Sequence, residues 1–110
     1  MMTSGSQSEG KLVHIVTLEC KDAEHANRCL DALNNYGRPD ALSFNCLSYE
    51  FGLKEGSADT VCLVERWKRW EDLDALLAAK VVPAVPLYNQ LLKRPFDSGK
   101  DTLRIHLSDA

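Results

Sequence analysis

The sequence lacks the features that mark several large classes of protein. None of its apolar runs, within 110 residues, approaches the roughly 20 residues that a membrane-spanning helix needs. No basic segment followed by an apolar one stands near its N-terminus, so we expect no signal peptide and a cytoplasmic location. Thirteen basic and sixteen acidic side chains give a net charge of −3, without the basic excess typical of nucleic-acid-binding proteins. We therefore expect neither a membrane nor a nucleic acid as a partner.

Metal-binding and nucleophilic motifs are missing as well. No two of the four cysteines have the C-x-x-C spacing, and no histidine stands at a zinc-finger offset from them. We expect reduced thiols that pack as small apolar side chains, with disulfides or a metal site as the alternative. The sequence contains no phosphate-binding glycine loop and no set of residues that indicates a Ser-His-Asp triad. We therefore expect no bound metal and no cofactor.

What the sequence does have is a strand that runs within a few residues into a helix, at residues 60–79. Apolar side chains first alternate with a period of two, which predicts a β-strand. The residues on one face of that strand are Val61, Leu63, Glu65 and Trp67. The spacing then changes to three and four residues, which predicts an amphipathic helix. The residues on its apolar face are Trp70, Leu73, Leu76 and Leu77.

The rest of the chain divides into a tail and one domain. Residues 1–10 are polar and rich in Ser and Gly, which predicts a disordered tail before a single domain at residues 11–110. The other predicted strands lie at residues 11–20, 41–53 and 102–107, with a hairpin loop at residues 54–59.

Two helices are predicted between these strands. Asp22 is expected to cap the first, which ends near Tyr36 with Gly37 in the left-handed conformation. The second begins after Trp67, and Pro83 and Pro86 are expected to interrupt it.

The predicted order is β-α-β-β-α-β, which is typical of the ferredoxin-like α+β fold. That fold has a four-stranded antiparallel sheet with two helices on one face. The predicted strands are apolar on both faces, although helices can cover only one. Because soluble monomers rarely expose a large apolar face, we expect the second face to be buried against another copy in a homodimer.

Three runs carry a resemblance to a known family: LSYE at residues 47–50, VERW at 64–67 and EDLDAL at 71–76. They resemble the antibiotic biosynthesis monooxygenase family of the dimeric α/β-barrel superfamily. The resemblance implies a homodimer whose two sheets form a shared barrel, with a pocket between sheet and helices in each subunit. Some members oxidise polycyclic aromatic substrates with O₂ and without metal or flavin. Others degrade haem, or isomerise or degrade small signalling molecules.

The resemblance also implies site residues. The family often uses an Asn on a strand, the strand Trp and a His shortly after the helix begins. Asn45 and Trp67 match the first two, whereas residues 74–80 contain no imidazole. Haem ligation and proton transfer by that histidine are therefore not expected.

Three residues are catalytic candidates from their chemistry. His14 interrupts an apolar strand face and can transfer a proton near neutral pH, the alternative being a core histidine with a local hydrogen bond. Glu65 is a candidate base, the alternative being a salt bridge to a neighbouring strand, for instance to Arg104. The amide of Asn45 can stabilise an oxyanion, the alternative being an amide that stabilises a bulge.

Aromatic residues near the strand-to-helix joint are candidates for substrate binding. The indole of Trp67 offers a flat apolar face and an N–H donor, the alternative being a core or dimer contact. Trp70, Tyr49 and Tyr88 complete this set. The favoured hypothesis is a cofactor-independent monooxygenase-like homodimer that binds or oxidises a small, flat, mainly apolar molecule. The alternatives are a non-catalytic homodimeric binding or assembly module, and an isomerase or lyase on the same scaffold.

Overall fold

The structure, a computed structural model, describes residues 10–109. The predicted tail therefore lies outside the described residues, apart from Gly10. Four strands form one antiparallel sheet in the order β2-β3-β1-β4. The strands are β1 (Leu12–Glu19), β2 (Ser48–Leu53), β3 (Thr60–Trp67) and β4 (Thr102–His106). The ferredoxin-like α+β fold predicted from the sequence is confirmed.

The first helical region begins as predicted but ends later. The Asp22 carboxylate accepts the backbone N–H of His25 at 2.8 Å and caps helix α1 (Ala23–Ala32). The chain then continues through a π-helical segment, π1 (Leu33–Gly37), into helix α2 (Arg38–Ser43). The predicted left-handed cap at Gly37 is wrong, because Gly37 has a right-handed φ of −61°.

Pro39 explains why the helix widens rather than ends. A proline ring clashes with the carbonyl four residues earlier in a regular helix. The π segment accommodates the proline by widening the turn before it, and the Arg38 N–H bonds to the Leu33 carbonyl five residues back. The helical region stops instead at Asn45, whose φ of 71° is left-handed. Asparagine tolerates that conformation better than most side chains.

Residues 41–47 are therefore not part of a strand, and the predicted strand at 41–53 is too long. Its first residues belong to α2 and the turn that follows, and β2 begins only at Ser48. The placement of Asn45 on a strand is wrong for the same reason. Its side chain is exposed at the end of a helix.

The second helical region repeats this construction. Helix α3 (Trp70–Leu76) continues through π2 (Leu77–Val81) into helix α4 (Val82–Asn89). The predicted interruption at Pro83 and Pro86 is wrong, because the chain remains helical through both. Pro83 lies in the first turn of α4, where its missing N–H is tolerated, and the Val82 N–H bonds to the Leu77 carbonyl. A short helix, α5 (Ser98–Asp101), leads into β4.

The core lies between the sheet and the helices. Its largest fully buried side chains are Trp67, Leu73, Val61, Cys20 and Cys29. The four cysteines are free thiols, and burial raises the pKa of Cys29 to about 12. In residues 10–109 no His, Cys, Asp and Glu cluster could hold a metal ion, and no helix is long and apolar enough to cross a membrane.

The other face of the sheet carries apolar side chains that are aligned by strand pairing. Ile15 of β1 is the direct partner of Val64 on β3 and of Leu103 on β4. Val13 pairs in the same way with Ile105. Leu103 is 53% exposed in the single chain. We call these five residues the outer patch, and they bear out the expectation that the strands are apolar on both faces.

Candidate functional site

A cavity of about 400 Å³ lies between the sheet and the helices. This volume falls in the range of small-molecule sites, roughly 300–1,000 Å³. All four strands contribute to its floor, and π1, π2 and α4 form much of its opposite wall. Both π segments therefore border the same space, in agreement with the frequent occurrence of such segments at functional sites. The lining is mainly apolar, with aromatic and aliphatic side chains, and its aliphatic residues include Val16, Leu18, Leu63, Leu76 and Val85.

Four polar side chains cross the floor of the cavity in one row. Tyr49 on β2 pairs with Glu65 on β3, Glu65 pairs with His14 on β1, and His14 pairs with Arg104 on β4. Directly paired residues point to the same face of a sheet, so strand register alone brings these side chains together. All four border the cavity.

His14 and Glu65 form the centre of this row. His14 Nδ1 lies 2.8 Å from Glu65 Oε1, and both side chains are buried. Trp67 Nε1–H donates to the same oxygen at 3.0 Å. Because an indole N–H can only donate, Oε1 is an acceptor, which favours a proton on His14 Nδ1. The other ring nitrogen, Nε2, then carries a lone pair and has no hydrogen-bond partner in the described part of the chain, and His14 itself borders the cavity.

Tyr49 provides a neutral hydroxyl beside Glu65. Burial, reinforced by the negative charge of Glu65, raises the pKa of Tyr49 far above its usual range. The phenol therefore stays protonated and can donate a hydrogen bond. Gly37 lies against this hydroxyl so closely that a Cβ atom there would collide with it. The glycine is needed for close approach and not for a left-handed turn.

Besides Arg104 in this row, two further charged side chains border the cavity. Arg104 Nη2 donates to Asp74 Oδ1 at 2.7 Å, and its guanidinium lies 5.0 Å from the centre of the Trp70 ring. Lys80 and Asp40 stand on the helical side of the cavity. The alternative salt bridge between Glu65 and Arg104 is wrong, because Glu65 contacts His14 and Arg104 contacts Asp74.

The structure brings together four of the seven predicted site residues. His14, Glu65, Tyr49 and Tyr88 line the cavity, and burial raises the pKa of Tyr88 to about 12. The other three do not line it and are Trp67, Trp70 and Asn45. The indole of Trp67 is fully buried and holds Glu65, and Trp70 lies under Arg104.

Asn45 lies outside the site altogether, exposed in the turn after α2. Sequence reasoning missed the side chains of Arg104, Lys80 and Asp40. The register between the last strand and the first, which pairs Arg104 with His14, was the signal that could have revealed Arg104.

Comparison with solved structures identifies proteins of the same architecture. A monooxygenase from the gene ActVA-Orf6 of Streptomyces coelicolor, in complex with the ligand nanaomycin D, superposes with a TM-score of 0.73 at 12% identity. The match covers 98% of this chain and 96% of that one. A putative antibiotic biosynthesis monooxygenase from Deinococcus radiodurans has a TM-score of 0.70 at 19% identity, over 90% and 94% of the two chains.

This chain has the fold of the antibiotic biosynthesis monooxygenases. A protein of unknown function from Nitrosomonas europaea has the same fold, with a TM-score of 0.69, 22% identity and 94% coverage of both chains. No protein-family model matches the chain, and no curated protein matches it significantly. At these identities the likeness concerns the fold alone. It confirms, at that level, the resemblance carried by residues 47–50, 64–67 and 71–76.

Proposed function

We propose that the protein binds a small, flat, mainly apolar molecule in the cavity and oxidises it with O₂, without metal or flavin. The observation that carries this proposal is the buried His14–Glu65 pair at 2.8 Å on the cavity floor. A histidine that is oriented by a carboxylate and borders an apolar cavity has the arrangement of a general base. The fold shared with named monooxygenases, one of them bound to nanaomycin D, supports the same class of activity.

The chemistry needs only one proton acceptor from the protein. His14 Nε2 takes a proton from an acidic C–H or O–H, and the Glu65 carboxylate stabilises the imidazolium that results. The electron-rich anion then reacts with O₂ to form a peroxide, which His14 protonates. Loss of the second C–H proton and cleavage of the O–O bond give a carbonyl group and water. For an anthrone-type methylene group the balance is CH₂ + O₂ → C=O + H₂O.

Oxygen uptake tests this proposal. The protein is incubated with a panel of phenols and anthrones, with and without air, after binding has been measured for each compound. We expect uptake with at least one bound compound and a loss of about 100-fold or more in His14→Asn, the usual size of a general-base contribution. His106→Asn is the matched control, because His106 is exposed on β4 and does not line the cavity. Binding without any oxygen uptake would reject the oxygenase.

An isomerase or lyase is the second candidate, because the His14–Glu65 pair can move protons without oxygen. Under anaerobic conditions it would exchange substrate C–H hydrogen with solvent deuterium and form product. An oxygenase gives no product without O₂. Binding with neither exchange nor uptake would favour the non-catalytic binding module.

We propose further that two chains pair through the outer patch. Ile15, Val64 and Leu103 lie side by side on three strands, and this apolar surface would be covered by a second copy. We expect sedimentation to give a stable dimer at micromolar concentration. Leu103→Glu should dissociate it, whereas Leu87→Glu, at a residue that is 66% exposed on α4, should not. A folded wild-type monomer would contradict this assembly.

A further inference from the structure

Arg104 is a strong cation on the strand floor of the cavity, and the proposed proton transfer does not use it. It is the direct cross-strand partner of His14, on the side opposite Glu65. Paired residues on neighbouring strands have Cβ atoms about 4.5–5.5 Å apart, so its stem starts next to the imidazole. Arg104 itself borders the cavity.

The Arg104 guanidinium is held in place, but only some of its N–H donors have an acceptor. Asp74 accepts from Nη2, and the Trp70 ring lies against the guanidinium plane. An arginine has five N–H donors in a rigid planar fork. The donors on Nε and Nη1 have no acceptor in residues 10–109. A positioned cation with free donors therefore stands at the edge of a mainly apolar space.

The order of charges along the floor indicates what these donors would hold. Proton transfer to His14 would create a cation beside Glu65 and an anion on the ligand. An anion placed between His14 and Arg104 completes a row of alternating charges, which is buried at its His14–Glu65 end and 38% exposed at the Arg104 side chain. Lys80 and Asp40, on the helical side, have opposite charges and do not bias the cavity towards either sign.

We propose that Arg104 is the anion-binding group of this cavity, and that the preferred ligand is a flat apolar molecule with one ionised oxygen placed beside His14. The inference rests on the proposed ligand-binding role of the cavity and adds the chemical class of its ligand. Trp70 and Asp74 are positioning residues, because they orient the guanidinium without bordering the cavity.

Paired probes of equal shape test this inference by calorimetry. The probes are 2-naphthoate and its neutral counterpart 2-naphthalenemethanol, followed by 2-naphthol and naphthalene to separate a carboxylate from a phenol. We expect the wild type to bind naphthoate at least about tenfold more tightly than the alcohol, as one charge-assisted hydrogen bond predicts. Arg104→Met should abolish that preference and leave the affinity for the alcohol unchanged, and Arg104→Lys should restore part of it.

Arg69→Met is the matched control, because it removes the same charge from an exposed arginine that does not line the cavity. It should keep the full preference. Circular dichroism and thermal unfolding establish that each variant is folded. Equal affinities for naphthoate and the alcohol in the wild type, or an undiminished preference in Arg104→Met, would overturn the role of Arg104 and leave the proposed oxygenase standing if uptake still depends on His14. Failure of every probe to bind would overturn both.

Discussion

The two strand-helix halves of the molecule share one local arrangement but differ in how deeply their helices are buried. Each has a strand, a helix and a five-residue π segment, and an Xaa-Pro pair follows the π segment directly. In the first half the helical region is packed into the core, and Arg38 of α2 also lies over the Phe51 ring of β2 at 4.8 Å. In the second half α4 has no buried residue, and Val82 and Leu87 are 64% and 66% exposed.

The difference suggests how the cavity is built. The first half forms a fixed wall and supplies His14. The second half supplies Glu65 and Trp67, which hold the imidazole, and then helix α4, which borders the cavity and packs against the core through Tyr88 but has no fully buried residue. Both helical regions remain continuous through a widened turn that is followed by a proline. The two halves therefore differ not in helix continuity but in how deeply their last helices are buried.

The largest expected effect concerns the contact that joins the halves. Glu65→Gln removes the carboxylate that orients His14 and stabilises its imidazolium, and Gln can still accept from Trp67. We expect activity on a bound substrate to fall about 100-fold, as for loss of the partner that orients a functional histidine. Steady-state kinetics would measure it. Glu50→Gln is the control, on an exposed residue of the neighbouring strand, and equal activity in both variants would contradict a joint site.

Leu33 and Leu77 test the anchoring of the two halves directly. Each begins a π segment and lines the cavity, but Leu33 is buried and Leu77 is only partly buried. We expect Leu33→Ala to lower the free energy of unfolding by about 2–5 kcal/mol. Leu77→Ala should cost less than half as much. Chemical denaturation would measure both, and equal losses would mean that the two halves are anchored alike.

Gly37 tests the close contact between π1 and the strand floor. Gly37→Ala places a Cβ atom against the Tyr49 hydroxyl, and we expect a loss of about 1–3 kcal/mol from overpacking. The double variant with Tyr49→Phe removes the clashing oxygen and should recover part of that loss. A double-mutant cycle gives the coupling. An additive result would rule out the contact as the cause.

The smallest effect concerns the ion pair between Arg94 and Asp101, which follows the second helical region. Arg94 donates to both carboxylate oxygens of Asp101, and this hydrogen bonding lowers the pKa of Asp101. A depressed pKa means that the pair stabilises the fold above the unfolded value and is lost as the pH falls through the folded one. We expect Asp101→Asn to cost about 1–2 kcal/mol at neutral pH and progressively less below about pH 4.

Denaturation at a series of pH values checks this expectation. A difference between wild type and Asp101→Asn that does not shrink in acid would show that the charge of Asp101 is not what matters. Asp109→Asn provides a comparison, because Asp109, which pairs with Lys11, is 83% exposed.

The sequence predicted what depends on periodicity and local caps. Alternation and helical spacing predicted four strands, the element order and the Asp22 cap, and the polar interruptions at His14 and Glu65 predicted two residues that the structure pairs beside the cavity. It could not predict the two π segments, because proline usually ends a helix and only tertiary packing favours a widened turn instead. Asn45 was misplaced for the same reason, since a longer first helix takes up the start of the predicted strand.

Cross-strand register explains the other omissions. Arg104 stands near the end of the chain, and only pairing of β4 with β1 brings it beside His14. Trp67 was expected to face the ligand, but its indole N–H donates to the Glu65 carboxylate instead. Alternation gives the face of a strand on which a residue lies, but not whether a ring at its end meets a cavity or a neighbouring carboxylate.

The most direct test of the account is the tautomer of His14, observed by nitrogen NMR of the free protein at slightly alkaline pH. We expect a proton on Nδ1, hydrogen-bonded to Glu65, and an unprotonated Nε2 whose signal moves when an aromatic ligand binds. A proton on Nε2, or an Nε2 signal that no bound ligand disturbs, would contradict a base that faces the cavity.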